Sequence, residues 1–214
     1  MKRTCIAVVI IAALLPMAAI ADGPSYNLMY AGYAKGSVSS YSGGKGYIFG
    51  GNYEFYPNWF FGFDYYHNSY DGGYLTGGFF TTDYTISLGA HMPLTDSMDL
   101  VGRVAYADDH WKQGPSTNLF PGFTVSSSNT KTGYDVSIGV RAMATDNWEL
   151  NAYLAQDDVG LLSHDQNNSE TVGSIGTVYN FTDQFAMQLN YARSNQSSSS
   201  LLMLTARWYF QEIF

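Results

Sequence analysis

The chain has 214 residues, 10 Lys+Arg against 18 Asp+Glu, and a formal net charge of -8. Only 13% of residues are charged, against about a quarter in soluble globules, while 46% are hydrophobic and 16% aromatic. So acidic a chain lacks the basic footprint that grips phosphate backbones, which excludes nucleic acid as an expected partner. A mean hydropathy of -0.12 excludes a bundle of membrane-spanning helices.

The N-terminus reads as an export leader. Lys2 and Arg3 are basic, Ile6 to Leu15 is apolar and uncharged, Pro16 breaks the run, and Ala19-Ile20-Ala21 is a small-x-small cleavage site. The run is shorter than the roughly 20 residues that span a bilayer. Residues 1–21 are therefore expected to be a cleaved signal peptide, with 22–214 forming one domain. The sole cysteine, Cys5, lies in the leader and precedes the apolar run, so it does not read as a lipoprotein cysteine. The exported chain is expected to have no disulfide, no metal site and no cofactor.

Beyond the leader the period is two. From Gly46, the alternate residues Tyr47, Phe49, Tyr53 and Phe55 are large and aromatic, with Gly51 the exception. That alternation marks a strand with unlike faces. Strands are predicted at 26–35, 46–55, 59–68, 80–91, 99–107, 133–142, 148–156, 171–181, 185–193 and 201–210. About ten strands of about ten residues suit tilted crossings of a bilayer. Eight strands would require 26–35 and 171–181 to be loops; twelve would require strands inside the third long loop.

Connections alternate in length. The short turns are Tyr56-Pro57-Asn58, Pro93 to Ser97, Thr145-Asp146-Asn147 and Thr182-Asp183-Gln184. The long ones run from Gly36 to Lys45, Ser69 to Phe79, Asp108 to Thr132, Asp157 to Glu170 and Ser194 to Ser200. Short turns at one end and long loops at the other are the asymmetry of outer-membrane barrels. An even strand count returns both termini to the short-turn end.

The apolar parity runs through Leu28 and Tyr30, Phe61 and Phe63, Ile86 and Leu88, Val104 and Tyr106, Val136 and Ile138, Leu189 and Tyr191, and Leu202 to Trp208. It is assigned to the lipid face, whereas a lipocalin-type barrel would turn such residues inward. Trp59, Trp148, Phe185 and Trp208 lie near the short turns and are expected to form an aromatic girdle. In lipid every backbone polar group needs an internal partner, so the sheet must close.

The last strand, Leu202 to Phe210, alternates and is followed by Gln211-Glu212-Ile213-Phe214. It resembles outer-membrane proteins that end on an aromatic strand, in which that end is read by the barrel-assembly machinery. The resemblance assigns the signal to Trp208, Phe210 and Phe214, although Glu212 interrupts the pattern. Asp99 to Tyr106 and Gly133 to Arg141 are similar to small xanthomonad-type and OmpA/OmpX-like membrane barrels. That resemblance implies an all-β, closed antiparallel transmembrane β-barrel in the Gram-negative outer membrane, and it implies no catalytic residues.

The opposite parity carries Glu54, Asp64, Asp83, Arg103, Asp135, Arg141, Glu149 and Arg207. Charges buried unpaired would cost several kcal/mol each, so a lumen network of ion pairs is expected, with Arg103 and Arg141 as pairing candidates. A pore whose charges set selectivity is the alternative. At the rim, Asp108-Asp109-His110, Asp157-Asp158 and His164-Asp165 read as solvated loop charge rather than a catalytic dyad or cation site. The long loop 108–132, with Trp111, Leu119, Phe120, Pro121 and Phe123, is a candidate surface for an external ligand. The expected function is a structural or surface-interaction barrel embedded in outer-membrane lipid. A small passive channel is the alternative, and a rim enzyme is a third class for which no catalytic residue is nominated.

Overall fold

The computed structural model describes residues 23–38, 41–71, 78–113, 116–117, 124–125, 127–160, 162, 169–195 and 199–210. The leader and its cleavage site, Leu119 to Phe123, His164-Asp165, Glu212 and Phe214 lie outside the described residues. Twelve strands form among those described: β1 (Leu28–Val38), β2 (Tyr41–Tyr56), β3 (Trp59–Asp71), β4 (Phe79–Thr95), β5 (Met98–Gln113), β6 (Ser116–Thr117), β7 (Thr124–Val125), β8 (Ser128–Thr145), β9 (Trp148–Asp157), β10 (Glu170–Asn180), β11 (Phe185–Ser194) and β12 (Ser200–Tyr209).

Ten of them close into one antiparallel barrel in the order β1-β12-β11-β10-β9-β8-β5-β4-β3-β2. The sheet closes where Leu28 to Ser37 pair with Tyr209 to Ser200. Closure leaves the barrel wall without an edge strand, which lipid would not tolerate. Both strands of the eight-stranded alternative are present as β1 and β10, and the pair β6–β7 forms a separate two-stranded sheet outside the barrel.

The faces are those of a membrane barrel. In β3, Trp59, Phe61 and Phe63 are exposed while Phe60 and Gly62 are buried; β4 and β8 alternate the same way through Ile86, Leu88, Val136 and Ile138. Apolar side chains coat the outside, and polar groups such as Ser87, Asn151 and Thr205 are buried inside. A sequence with the same alternation in water would have to invert these faces.

β1 departs from the predicted phase. Leu28 is buried and Tyr30 faces inward, whereas Met29 and Tyr33 are exposed. Directly opposed residues share a face, and Tyr30 stands opposite the inward Arg207. Small residues (Ala31, Gly32, Ala34) had flattened the contrast between the two parities.

The outer ends also depart. β5 runs to Gln113 and β8 begins at Ser128, so much of the expected loop 108–132 is paired strand, including Trp111 opposite Asn129. The long connection is correspondingly shorter, 114–127. Lipid-facing alternation stops at the membrane border, but strand pairing continues above it in polar residues.

Three of the four short turns share one device. Thr95, Thr145 and Thr182 each turn Oγ1 onto a following backbone N–H: of Ser97 (3.3 Å), of Asn147 (3.3 Å) and Trp148 (3.1 Å), and of Gln184 (3.2 Å) and Phe185 (3.0 Å). The fourth, Pro57-Asn58, places Asn58 at φ 70°, in the left-handed region that Asn tolerates better than most residues.

Candidate functional site

The inward residues make three levels along the lumen. At the short-turn end, residues 23–27 turn into the barrel instead of trailing from it. Tyr26 is 2% exposed. Its ring stacks on His91 (3.9 Å) and Phe60 (5.2 Å), and the Arg141 guanidinium lies 4.5 Å over it. Its hydroxyl donates to Asp99 (2.9 Å), and Arg141 donates to the Ser25 carbonyl (3.0 Å). His91 sits between Glu54 (3.1 Å) and Asp99 (3.2 Å). Phe60 reaches this position because Gly89 faces it: a Cβ there would stand 2.2 Å from the ring.

Above this floor lies a salt-bridge layer. Arg141 grips Glu149 with two parallel bonds of 2.9 and 2.8 Å, and Arg207 approaches the same carboxylate at 3.5 Å. The paired fork geometry makes this the strongest form of ion pair, and with Glu149 1% exposed it is shielded from water. Arg207 also donates to Gln188 (2.9 Å). Next, Arg103 donates to Asp64 (2.8 Å), which also accepts from Thr85 (2.9 Å) and from the Tyr30 hydroxyl. Asp135, on the neighbouring strand β8, faces the same space as Arg103.

The outer level is acidic. Asp83, Asp109, Asp157 and Glu170 are all buried. The connection after β9 folds inward here, with Val159 and Leu162 buried and their backbone N–H groups held by Asp157 (2.7 Å) and Glu170 (2.8 Å). Between floor and mouth runs a cavity of about 370 Å³.

The structure thus brings six of the eight charges singled out in the sequence into two ion-paired sets and a neighbouring carboxylate: Arg141, Glu149 and Arg207; Arg103 and Asp64; and Asp135. Of the other two, Glu54 sits in the floor, where it accepts from the Asn58 N–H (2.8 Å) and contacts His91, and Asp83 is buried in the outer level. Sequence reading missed Tyr26, His91 and Asp99. His91 and Asp99 both lie on inward parity, next to a short turn, so the signal was present. Tyr26 opens the predicted strand 26–35, whereas β1 begins at Leu28 and leaves Tyr26 to turn inward.

Other rim residues separate. Asp109 points inward at 0% exposure, while the adjacent His110 points outward and meets Thr130 (2.5 Å). Neighbours in a strand take opposite faces, so no Asp109–His110 pair forms. Trp59, Trp148, Phe185 and Trp208 are all exposed on the outer surface beside the short turns; Phe185 and Trp208 stack at 6.3 Å. At the other border a tyrosine stands on the outer surface of six successive strands of the wall: Tyr33, Tyr47, Tyr65, Tyr84, Tyr106 and Tyr134. Of the expected assembly signal, Trp208 is exposed, Phe210 is half-buried against Tyr53 (6.5 Å), and Phe214 lies outside the described residues.

A closed sheet with an apolar exterior, two aromatic borders and a charged lumen defines a transmembrane β-barrel. The chain matches the outer membrane protein beta-barrel domain over residues 4–160 and belongs to that family of bacterial outer-membrane proteins. No curated protein matches it. Among solved structures it is similar to Ail, the attachment invasion locus protein of Yersinia pestis, at 14% identity over 86% of this chain and 97% of that one (TM-score 0.45). It is also similar to Neisserial surface protein A, at 16% identity over 86% and 95% (TM-score 0.42). The translocator domain of the autotransporter NalP from Neisseria meningitidis matches at 11% identity over 95% and 96% (TM-score 0.48).

Proposed function

We propose that this barrel acts through its wall and outward connections, as a structural and surface-interaction element of the envelope, and not as an open pore. The observation that carries the reading is the floor. Tyr26 fills the short-turn end, clasped by His91, Phe60, Arg141 and Asp99. An ion would have to displace that ring and cross the shielded Arg141–Glu149–Arg207 set. The external ligand would meet the long connection between β5 and β8. Trp208, Phe210 and Phe214 would present the end that the assembly machinery reads.

Single-channel recording in a planar bilayer tests this. The wild-type protein is expected to give no discrete steps, and Tyr26→Ala or deletion of residues 23–27 is expected to give them. The cavity of about 370 Å³ favours a second reading, a small passive channel whose floor moves aside. Wild-type steps that change size with Arg103→Ala or Arg141→Ala would establish that reading and remove the first.

A further inference from the structure

Beyond the leader, the basic side chains divide by place. Arg103, Arg141 and Arg207 lie in the lumen, and Lys131 turns its ammonium onto the Asp158 carbonyl. The others, Lys35, Lys45, Lys112 and Arg193, are exposed on the outer surface of the wall, all toward its long-connection end. The short turns at the other end carry Asp96, Asp146 and Asp183 and no base. A chain of net charge -8 thus gathers its exposed cations at a single border.

Two of these cations adjoin. Lys35 on β1 and Lys45 on β2 are directly opposed, two positions beyond the directly opposed Tyr33 and Tyr47 and on the same face. Like charges so placed repel. Their other cross-strand neighbours, Leu202 on β12 and Ser69 on β3, bring no carboxylate. Among the described residues neither lysine forms an ion pair. An anion carrying more than one negative charge would relieve the repulsion by meeting both ammoniums. The tyrosines set the depth: a ring with a polar edge settles at headgroup level, so the lysines just beyond it stand among lipid phosphates. Below the tyrosines the same two strands expose Met29, Phe49 and Phe55.

We propose that Lys35 and Lys45 form a binding site for the phosphorylated headgroup of an outer-leaflet lipid, a phosphate monoester shared by the two ammoniums. A monoester holds close to two negative charges at neutral pH, and each ammonium is a compact charge with three donors. Tyr33 and Tyr47, 49% and 51% exposed, are free to meet the rest of the headgroup, and Met29 and Phe49 meet the acyl chains. Cations, tyrosines and apolar surface in that order on one strand pair fit an amphiphile better than a free anion.

Native mass spectrometry of the folded full-length protein from non-ionic detergent tests the site. The probes are phosphatidic acid, phosphatidylglycerol, phosphatidylcholine and, separately, inorganic phosphate. Phosphatidic acid is expected to bind about tenfold or more tighter than phosphatidylcholine, as two lysines beside one anionic headgroup would give. Phosphatidylglycerol, with one charge on its phosphodiester, is expected to fall between. The double variant Lys35→Gln/Lys45→Gln is expected to bind phosphatidic acid no better than phosphatidylcholine. Lys112→Gln, which removes a lone outward cation on β5, is expected to leave the preference within about twofold, well short of the effect of one paired lysine. No preference for phosphatidic acid, or a preference kept by the double variant, would overturn the proposal. So would an equal loss in Lys112→Gln, which would mean diffuse attraction, or binding of inorganic phosphate with no preference among the lipids. Should the double variant fail to fold, Lys35→Gln and Lys45→Gln singly, each expected to weaken binding about fivefold, carry the comparison.

Discussion

Glu149 is where one atom-scale change should matter most. It is 1% exposed and faces two guanidiniums. Removing its charge leaves Arg141 and Arg207 buried without their counter-ion, a loss of about 3–5 kcal/mol for a broken buried pair. Glu149→Gln is therefore expected to lower the denaturant midpoint of the barrel in lipid vesicles by a clear step. Arg103→Ala should cost less, because the Arg103 side chain is 27% exposed and Asp64 keeps its bonds from Thr85 and Tyr30. Equal losses for the two variants would contradict the layered account of the lumen. Both sets were legible as lumen residues from parity alone. Who grips whom was not, because it depends on register: Arg141 faces Asn151 directly and reaches Glu149 diagonally, one rung nearer the turn.

The turns are the elements in which a local rule is clearest. Thr145 Oγ1 takes two backbone N–H groups at the β8–β9 turn. Thr145→Val removes that acceptor and is expected to cost about 0.5–1.5 kcal/mol, the worth of a modest hydrogen bond, while Thr145→Ser keeps most of it. At the β2–β3 turn, Asn58 holds φ 70°. Asn58→Gly should be nearly neutral, whereas Asn58→Val forces a branched side chain into the left-handed region at about 1–2 kcal/mol. Unfolding midpoints of these four variants provide the check. The short-turn ends of the strands were legible because these turn residues punctuate a strong alternation. The outer ends were not. From Asp108 to Gln113 and from Ser128 to Gly133, polar residues occupy both faces, so pairing continues with no periodic signal. In β1 both parities carry large residues, and the phase is set by pairing across the closure, Leu28 with Tyr209 and Tyr30 with Arg207.

At the scale of the whole molecule, the outward apolar band must be matched to a bilayer, and depth along one strand provides the test. β8 carries Tyr134, Val136 and Ile138 on its exposed face, from the tyrosine border inward. An arginine at Ile138 would lie deep in the hydrocarbon, at a cost of about 2–4 kcal/mol, while one at Tyr134 would sit near the headgroups at about 0–1 kcal/mol. Val136→Arg should fall between. The same side chains on a barrel bathed by water would be exposed at equal cost, since all three are more than two-fifths accessible. A graded loss of stability from Tyr134→Arg to Ile138→Arg, measured by denaturant unfolding in vesicles, would therefore place the border at the tyrosines. A flat series would move that border, and the floor, lumen and mouth would then have to be set at new depths relative to the lipid.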